Sequence, residues 1–207
     1  VVMLLLLSGL TTSCMSAQNT VRPEVALTFE NVAPLRLSVA EVDVVNNYEL
    51  SADPLDVSTQ FPTPPDTALR RFAERRLQAA GSSDILRFVI EKARIYAKPV
   101  PSQGEMMRWL GVGTGTRYEV TADLRIYTIS GAGQESAHAL MSFQKAITIP
   151  DRFSIAEREA AQVKFLQGLL ADIDTAVTKH LKDNTGLFIT SSDINSEAQT
   201  SPLSLVP

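Results

Sequence analysis

Residues 116–149 carry the clearest pattern of apolar and polar positions in the chain. Tyr118, Val120, Ala122, Leu124 and Ile126 fall on one parity, and Arg117, Glu119, Thr121, Asp123 and Arg125 on the other. Alternation of period two predicts a strand with one buried and one wet face. Ser130-Gly131-Ala132-Gly133 then interrupts as a turn does. A second alternating run places Ala137, Ala139, Met141, Phe143, Ile147 and Ile149 against Ser136, His138, Ser142, Gln144 and Thr148. The two runs predict a long antiparallel hairpin. A lone hairpin is not stable in water, so its apolar face needs a cover.

Two amphipathic helices are expected to supply it. The first begins at Thr63-Pro64-Pro65-Asp66, with Thr63 as cap, Pro64 in the first helical position and Asp66 at the positive dipole end. Leu69, Phe72, Ala73, Leu77 and Ala80 form its apolar stripe, and Gly81 is expected to cap its C-terminus. Arg70, Arg71, Arg75 and Arg76 lie beside or opposite that stripe. Four arginines on one helix read either as a docking patch for an anionic partner such as lipid headgroups, or as a solvated face paired with Glu74 and other acids. The second helix starts with Ser154 and Glu157 in capping-box spacing. Ile155, Val163, Leu166, Leu170, Ile173, Val177 and Leu181 follow at mostly helical spacing, for a helix of about 28 residues ending near Asn184 and Gly186. Leu187, Phe188 and Ile189 add a last apolar contact.

Two further strands are expected. Residues 34–45 alternate Leu35, Leu37 and Val39, then shift parity to Val42 and Val44, which suggests one strand with a bulge near Ala40. Residues 85–95 are apolar on both parities near their middle, as in a central strand. Residues 46–62 read as a long loop. Residues 96–115 read as irregular, broken by Pro99 and Pro101, with Met106, Met107, Trp109, Leu110 and Val112 clustered beyond. Exposed Met and Trp mark partner or membrane contacts; the alternative is a cap folded back over one end of the core. Gly111, Gly113 and Gly115 precede a strand and lack dinucleotide-site spacing, so they read as a lead into the hairpin.

The order strand, helix, strand, strand, strand, helix predicts an α+β fold. We expect a two-layer sandwich in βαβββα order, with a mostly antiparallel four-stranded sheet and two helices on one face. Strands joined through the first helix should lie parallel, with a right-handed crossover. The expected organisation is a signal and lipid-site segment over residues 1–14, a tether over 15–33, one α/β domain over 34–190 and an unstructured tail over 191–207. The chain has 207 residues, and a domain of about 150 residues buries about 70 % of its unfolded surface. A net charge of −4 and a pI of 5.2 argue against nucleic acid as partner. A single cysteine excludes an intrachain disulfide and a Cys-based metal cage.

The chemistry-bearing residues do not assemble into a catalytic pattern. His138 sits on a polar strand face and His180 near a helix C-terminus, neither at metal-ligand spacing. Asp172 and Asp174 are two apart on a helix and do not face each other. No serine lies in a G-x-S-x-G context and no Walker motif is present. The expectation is a non-enzyme without metal or cofactor.

The N-terminus supplies an address. Residues 1–10, VVMLLLLSGL, form an apolar run of signal-core length that is too short to span a bilayer. The run opens on Val without a basic region, so the sequence is expected to begin inside the signal. Thr11-Thr12-Ser13-Cys14 follows and resembles the lipobox of bacterial lipoproteins, in which a small residue precedes the acylated cysteine. Thr12 and Ser13 match that pattern, while Thr11 stands where the family usually has Leu. The resemblance implies acylation at Cys14 (palmitate among the chains), and Met15 in place of Asp implies an outer-membrane destination. An ordinary cleaved signal with an incidental cysteine, or a buried free cysteine, are the other readings. Together with the element order, this resembles the Gram-negative envelope lipoproteins of the LptE type and of the PqiC type, the auxiliary lipoproteins of ABC and MCE transporters. The stretch PPDTALRRFAERRLQAAGSSDILRFVIEKARI is also similar to alphaproteobacterial lipoproteins of unassigned role. The resemblance implies a non-enzymatic periplasmic adaptor, lipid-anchored at Cys14 to the outer membrane. It would be an accessory or assembly subunit of an envelope lipid or lipopolysaccharide transport machine, with a membrane protein or transporter as partner. A lipid- or small-ligand-binding module and a structural subunit of a larger envelope complex remain open beside it.

Overall fold

The computed structural model describes residues 33–49, 52–101 and 113–184. The hairpin is its largest element. Strand β5 (Gly115–Ile129) and strand β6 (Glu135–Pro150) pair antiparallel across a turn closed by hydrogen bonds between Ser130 and Gln134 and from Gly133 to Ser130. Tyr118, Val120, Ala122, Leu124 and Ile126 are all buried, as their parity requires. Ala139, Met141, Phe143 and Ile147 pack against the same core from β6, and Ile149 is buried in it.

Strand β4 (Ile85–Val100) pairs antiparallel with β5 on the other side. Its register shifts between Ile90 and Lys92. The bulge at Glu91 exchanges the parity of the strand, so Leu86, Phe88 and Ile90 before it and Ala93 and Ile95 after it reach one core. The apolar residues on both parities therefore reflect a bulge more than burial on two faces; Val89 alone is buried from the other side. The strand also runs on past residue 95. Pro99 is paired opposite Thr116, so residues 96–100, expected to be irregular, belong to the strand.

Strand β2 (Glu41–Asn46) lies parallel to β4 and completes the sheet in the order β2-β4-β5-β6. The expected single strand over residues 34–45 is in fact two. Strand β1 (Leu35–Leu37) leaves the main sheet and pairs in parallel with strand β3 (Leu77–Ala79). Tertiary pairing also shortens the first helix, α1 (Pro65–Arg76). Leu77, expected in the helical stripe, is extended at φ −99° and ψ 119°, and residues 77–79 exchange helical bonds for a ladder with β1. Gly81 is consequently not a helix cap. Ala80 and Gly81 donate to the carbonyls of Leu37 and Val39, and a Cβ on Gly81 would stand 2.6 Å from the Ser38 carbonyl carbon. At the other end α1 starts one residue later than expected. Pro64 is the cap position, Thr63 is buried without capping, and the Asp66 carboxylate accepts from Asn46 at 3.1 Å.

Helix α2 (Ile155–Asn184) opens on the expected capping box. The Ser154 amide donates to Glu157 Oε2 at 2.8 Å, and the Glu157 amide donates to Ser154 Oγ at 3.3 Å. Its buried stripe runs through Val163, Leu166, Leu170, Ile173, Val177 and Leu181, and includes Phe165 and Leu169 as well. Ile155 is 61 % exposed and takes no part. Both helices cover one face of the four-stranded sheet, which is the α+β two-layer arrangement expected. The long connection over residues 46–62 is more than a plain loop. Val57 and Ala97 exchange backbone bonds with Ile95 and Leu55, and Phe61 packs edge-on to Tyr118 at 5.4 Å.

Phe88 is fully buried in the core shared by the sheet and the helices. Phe88→Ala should cost about 3–5 kcal/mol in urea denaturation, whereas Ile155→Ala should stay within about 0.5 kcal/mol. Glu157 is held below the ordinary carboxylate range by the Ser154 amide first and its hydroxyl second. A lowered carboxylate contributes stability above its ordinary pKa and loses it as pH falls through the lowered value. The difference in melting temperature between the native chain and Glu157→Gln should therefore be present at pH 7 and shrink as pH falls below 4.5.

Candidate functional site

The face of the sheet away from the helices is built from the polar parity of the strands. Near the β5–β6 turn, each cation there has its own carboxylate. Arg87 Nε donates to Asp43 at 2.8 Å and Arg125 Nε to Glu91 at 3.0 Å, and Lys92 lies 3.6 Å from Asp123. Tyr127 is buried beneath this group. The Arg87 and Arg125 guanidinium carbons lie 6.0 and 5.1 Å from its ring centroid, and His138 stacks on it at 5.5 Å.

At the far end the balance changes. Lys98 and Arg117 are direct cross-strand partners, an unfavourable pairing of like charges. One carboxylate lies between them. Glu119 accepts from Arg117 Nε at 2.8 Å and from Lys98 Nζ at 3.5 Å. The Arg117 bond first, and then the Lys98 charge, hold Glu119 below the usual carboxylate range. Beside them Arg94 Nη1 donates to the Tyr96 hydroxyl at 2.6 Å, with its guanidinium near the rings of Tyr48 and Tyr96. Asp56, the acid nearest Arg94, is already engaged by the Tyr48 hydroxyl and by the amide and hydroxyl of Ser58. Burial, and then the bond to Asp56, raise the Tyr48 hydroxyl above its ordinary pKa. The buried Ser58 hydroxyl in turn accepts from the Ile95 amide at 2.8 Å, which fastens the preceding loop to β4.

A shallow groove of about 470 Å³ opens at this end of the face. Tyr96, Lys98, Arg117, Glu119, Thr121, Gln144 and Ala146 line it. Ala146 stands opposite Glu119 in register, and its short side chain leaves the depth that a longer residue would fill. The lining offers ammonium, guanidinium, hydroxyl and amide groups, which suit binding by charge and hydrogen bond. Among the described residues no cluster of three or more His, Cys, Asp or Glu is placed to hold a metal, and no helix is long and apolar enough to cross a membrane.

The residues singled out in the sequence lie elsewhere. Arg70, Arg71 and Arg75 are exposed on α1, on the helix side of the sandwich and away from the groove. Their exposure is what either a docking patch or a solvated face requires. The fourth arginine behaves differently. Arg76 Nε donates to Asp174 Oδ1 at 2.6 Å and Nη2 lies 3.4 Å from both Asp174 Oδ2 and Thr178 Oγ1, while Nη1 donates to the Ala33 carbonyl. It ties α1 to α2. Asp172, two residues away, points to the other flank and accepts from Lys145 at 2.6 Å. Cys14, Met106, Met107, Trp109 and Leu110 lie outside the described residues. The groove was not predicted from sequence. Arg117, Glu119 and Thr121 were legible as a wet face, but their cross-strand neighbours were not.

No protein-family model and no curated protein matches this chain. Among solved structures it is similar to a minor lipoprotein from Acinetobacter baumannii, at 12 % identity and a TM-score of 0.37, over 68 % of this chain and 89 % of that one. It is also similar to the rare lipoprotein B from Shewanella oneidensis, at 10 % identity and a TM-score of 0.34, over 76 % and 98 % of the two chains.

Arg76 is only 13 % exposed, and removing it strands Asp174. Arg76→Ala should destabilise the chain by about 1.5–3 kcal/mol in chemical denaturation, with Arg76→Lys recovering only part because a lysine cannot reproduce the fork. Arg71→Ala, on the exposed face, should change stability by less than about 0.5 kcal/mol.

Proposed function

We propose that this protein is a non-enzymatic envelope lipoprotein that acts as an adaptor. It is anchored at Cys14 to the periplasmic face of the outer membrane and serves as an accessory or assembly subunit of a lipid or lipopolysaccharide transport machine. The observation that supports the reading is the placement of Cys14. The only cysteine of the chain stands at the end of the apolar run, behind Thr12 and Ser13, and ahead of a polar stretch that leads to β1. About 20 residues separate it from that strand, which lets the domain stand up to about 70 Å from an anchored cysteine. Several acyl chains on one cysteine give firm attachment, where a single chain is marginal. The exposed Arg70, Arg71 and Arg75 supply a cationic helix face suited to an anionic membrane surface or partner.

The test is purification of the full precursor from detergent-solubilised envelopes beside a Cys14→Ser variant, with mass spectrometry of both. The expected outcome is acylation of Cys14 and recovery of an envelope transporter or outer-membrane barrel, both lost in Cys14→Ser. An unmodified Cys14 in soluble periplasmic protein would overturn the anchoring. Acylated protein that carries lipid alone would favour a lipid-binding module.

A further inference from the structure

We propose that the groove between Tyr96 and Ala146 is the docking site for an acidic peptide segment of a protein partner. The argument starts from the distribution of charge on the open face. Arg87, Lys92 and Arg125 each have one carboxylate of their own. Lys98 and Arg117 share Glu119, while Arg94 beside them bonds the Tyr96 hydroxyl and has Asp56 nearby to offset its charge. On a chain of net charge −4, the surplus of positive charge on this face is gathered at one place, and that place is concave.

A surplus alone would be answered by solvent, but here it costs the sheet. Lys98 and Arg117 are register partners, and a neutral residue at either position would relieve the repulsion. A second carboxylate from outside would relieve it as well. The groove is 470 Å³, enough for a short run of side chains.

The lining decides between a peptide and a lipid. Thr121 and Gln144 offer a hydroxyl and an amide, and Tyr96 a phenol, all groups that bond peptide. Ala146 is the only aliphatic side chain directed into the groove, since Val120 is buried against the helices. The exposed lining is more polar than apolar, which suits a peptide better than an acyl chain. An extended acidic segment would find donors along its length and two cations for its carboxylates. The site rests on the adaptor reading only in taking the partner to be a protein, and it lies on the side of the sandwich opposite the α1 arginines.

The experiment uses the full chain in detergent micelles and fluorescence anisotropy. The probes are a labelled peptide of alternating Gly, Asp, Ser and Glu, its Asn/Gln counterpart, and phosphatidylglycerol vesicles. The acidic peptide should bind about tenfold tighter than its amide counterpart at low salt and lose that preference as salt rises. Lys98→Gln with Arg117→Gln should abolish the preference. Glu119→Gln should strengthen acidic-peptide binding several-fold, an opposite sign that loss of fold cannot mimic. Equal binding of the two peptides, or discrimination unchanged in the double variant, would overturn the proposal. So would vesicle binding that depends on Lys98 and Arg117 while peptide binding does not. Cys14 acylation separates the two readings. Peptide discrimination intact with an unmodified Cys14 leaves the groove standing and removes the anchored adaptor. An acylated chain that captures its partner equally well with the double variant removes the groove.

Discussion

Everything in this fold answers to one constraint, the need to keep water off one side of a long hairpin. Strands β5 and β6 present a continuous apolar face from Tyr118 to Ile126 and from Ala139 to Ile149. No strand pairing can bury that face; only a second layer can. Helix α2 supplies that layer over the hairpin through its buried stripe of Phe165, Leu166, Leu169, Ile173 and Val177, while α1, with Leu69 and Phe72 buried, lies over the neighbouring strands β2 and β4. The bulge at Glu91 exists on the same account. Without a change of parity, Ala93 and Ile95 would face the solvent while Leu86, Phe88 and Ile90 faced the core.

The helix layer is held by polar contacts that the apolar pattern does not contain. Arg76 bridges α1, α2 and the entry to β1 in one side chain. Lys145 sits on the covered parity of β6, among apolar neighbours, and reaches past them to the Gly168 carbonyl and Asp172. The small parallel ladder of β1 and β3 closes the layer at the other side of α1. These contacts set how the helices sit on the sheet, whereas the hydrophobic effect sets only that they sit there.

The opposite face is free of that demand, and its residues are arranged by charge. Two cation–carboxylate pairs close over Tyr127 at one end and Lys92 pairs with Asp123 further along, while the other end holds two facing cations with one acid between them. The α1 arginines form a second cationic surface across the molecule. The sandwich places these two cationic surfaces on opposite sides.

The hairpin, the two helices and the capping box at Ser154 and Glu157 were legible because each rests on spacing within one segment. Period two, period 3.6 and a cap three residues away are local, and local patterns are written in order along the chain. What required the tertiary structure involves residues far apart in sequence. The end of α1 at Arg76 depends on β1, about forty residues earlier, offering a ladder to Leu77–Ala79. The groove depends on Lys98, Arg117, Glu119 and Ala146 meeting across three strands, and no spacing along the chain encodes which cation will face which. The lipobox resemblance at Cys14 rests on sequence alone. Which surfaces the domain exposes is decided by packing, because burial and cross-strand register choose the side chains that remain outside.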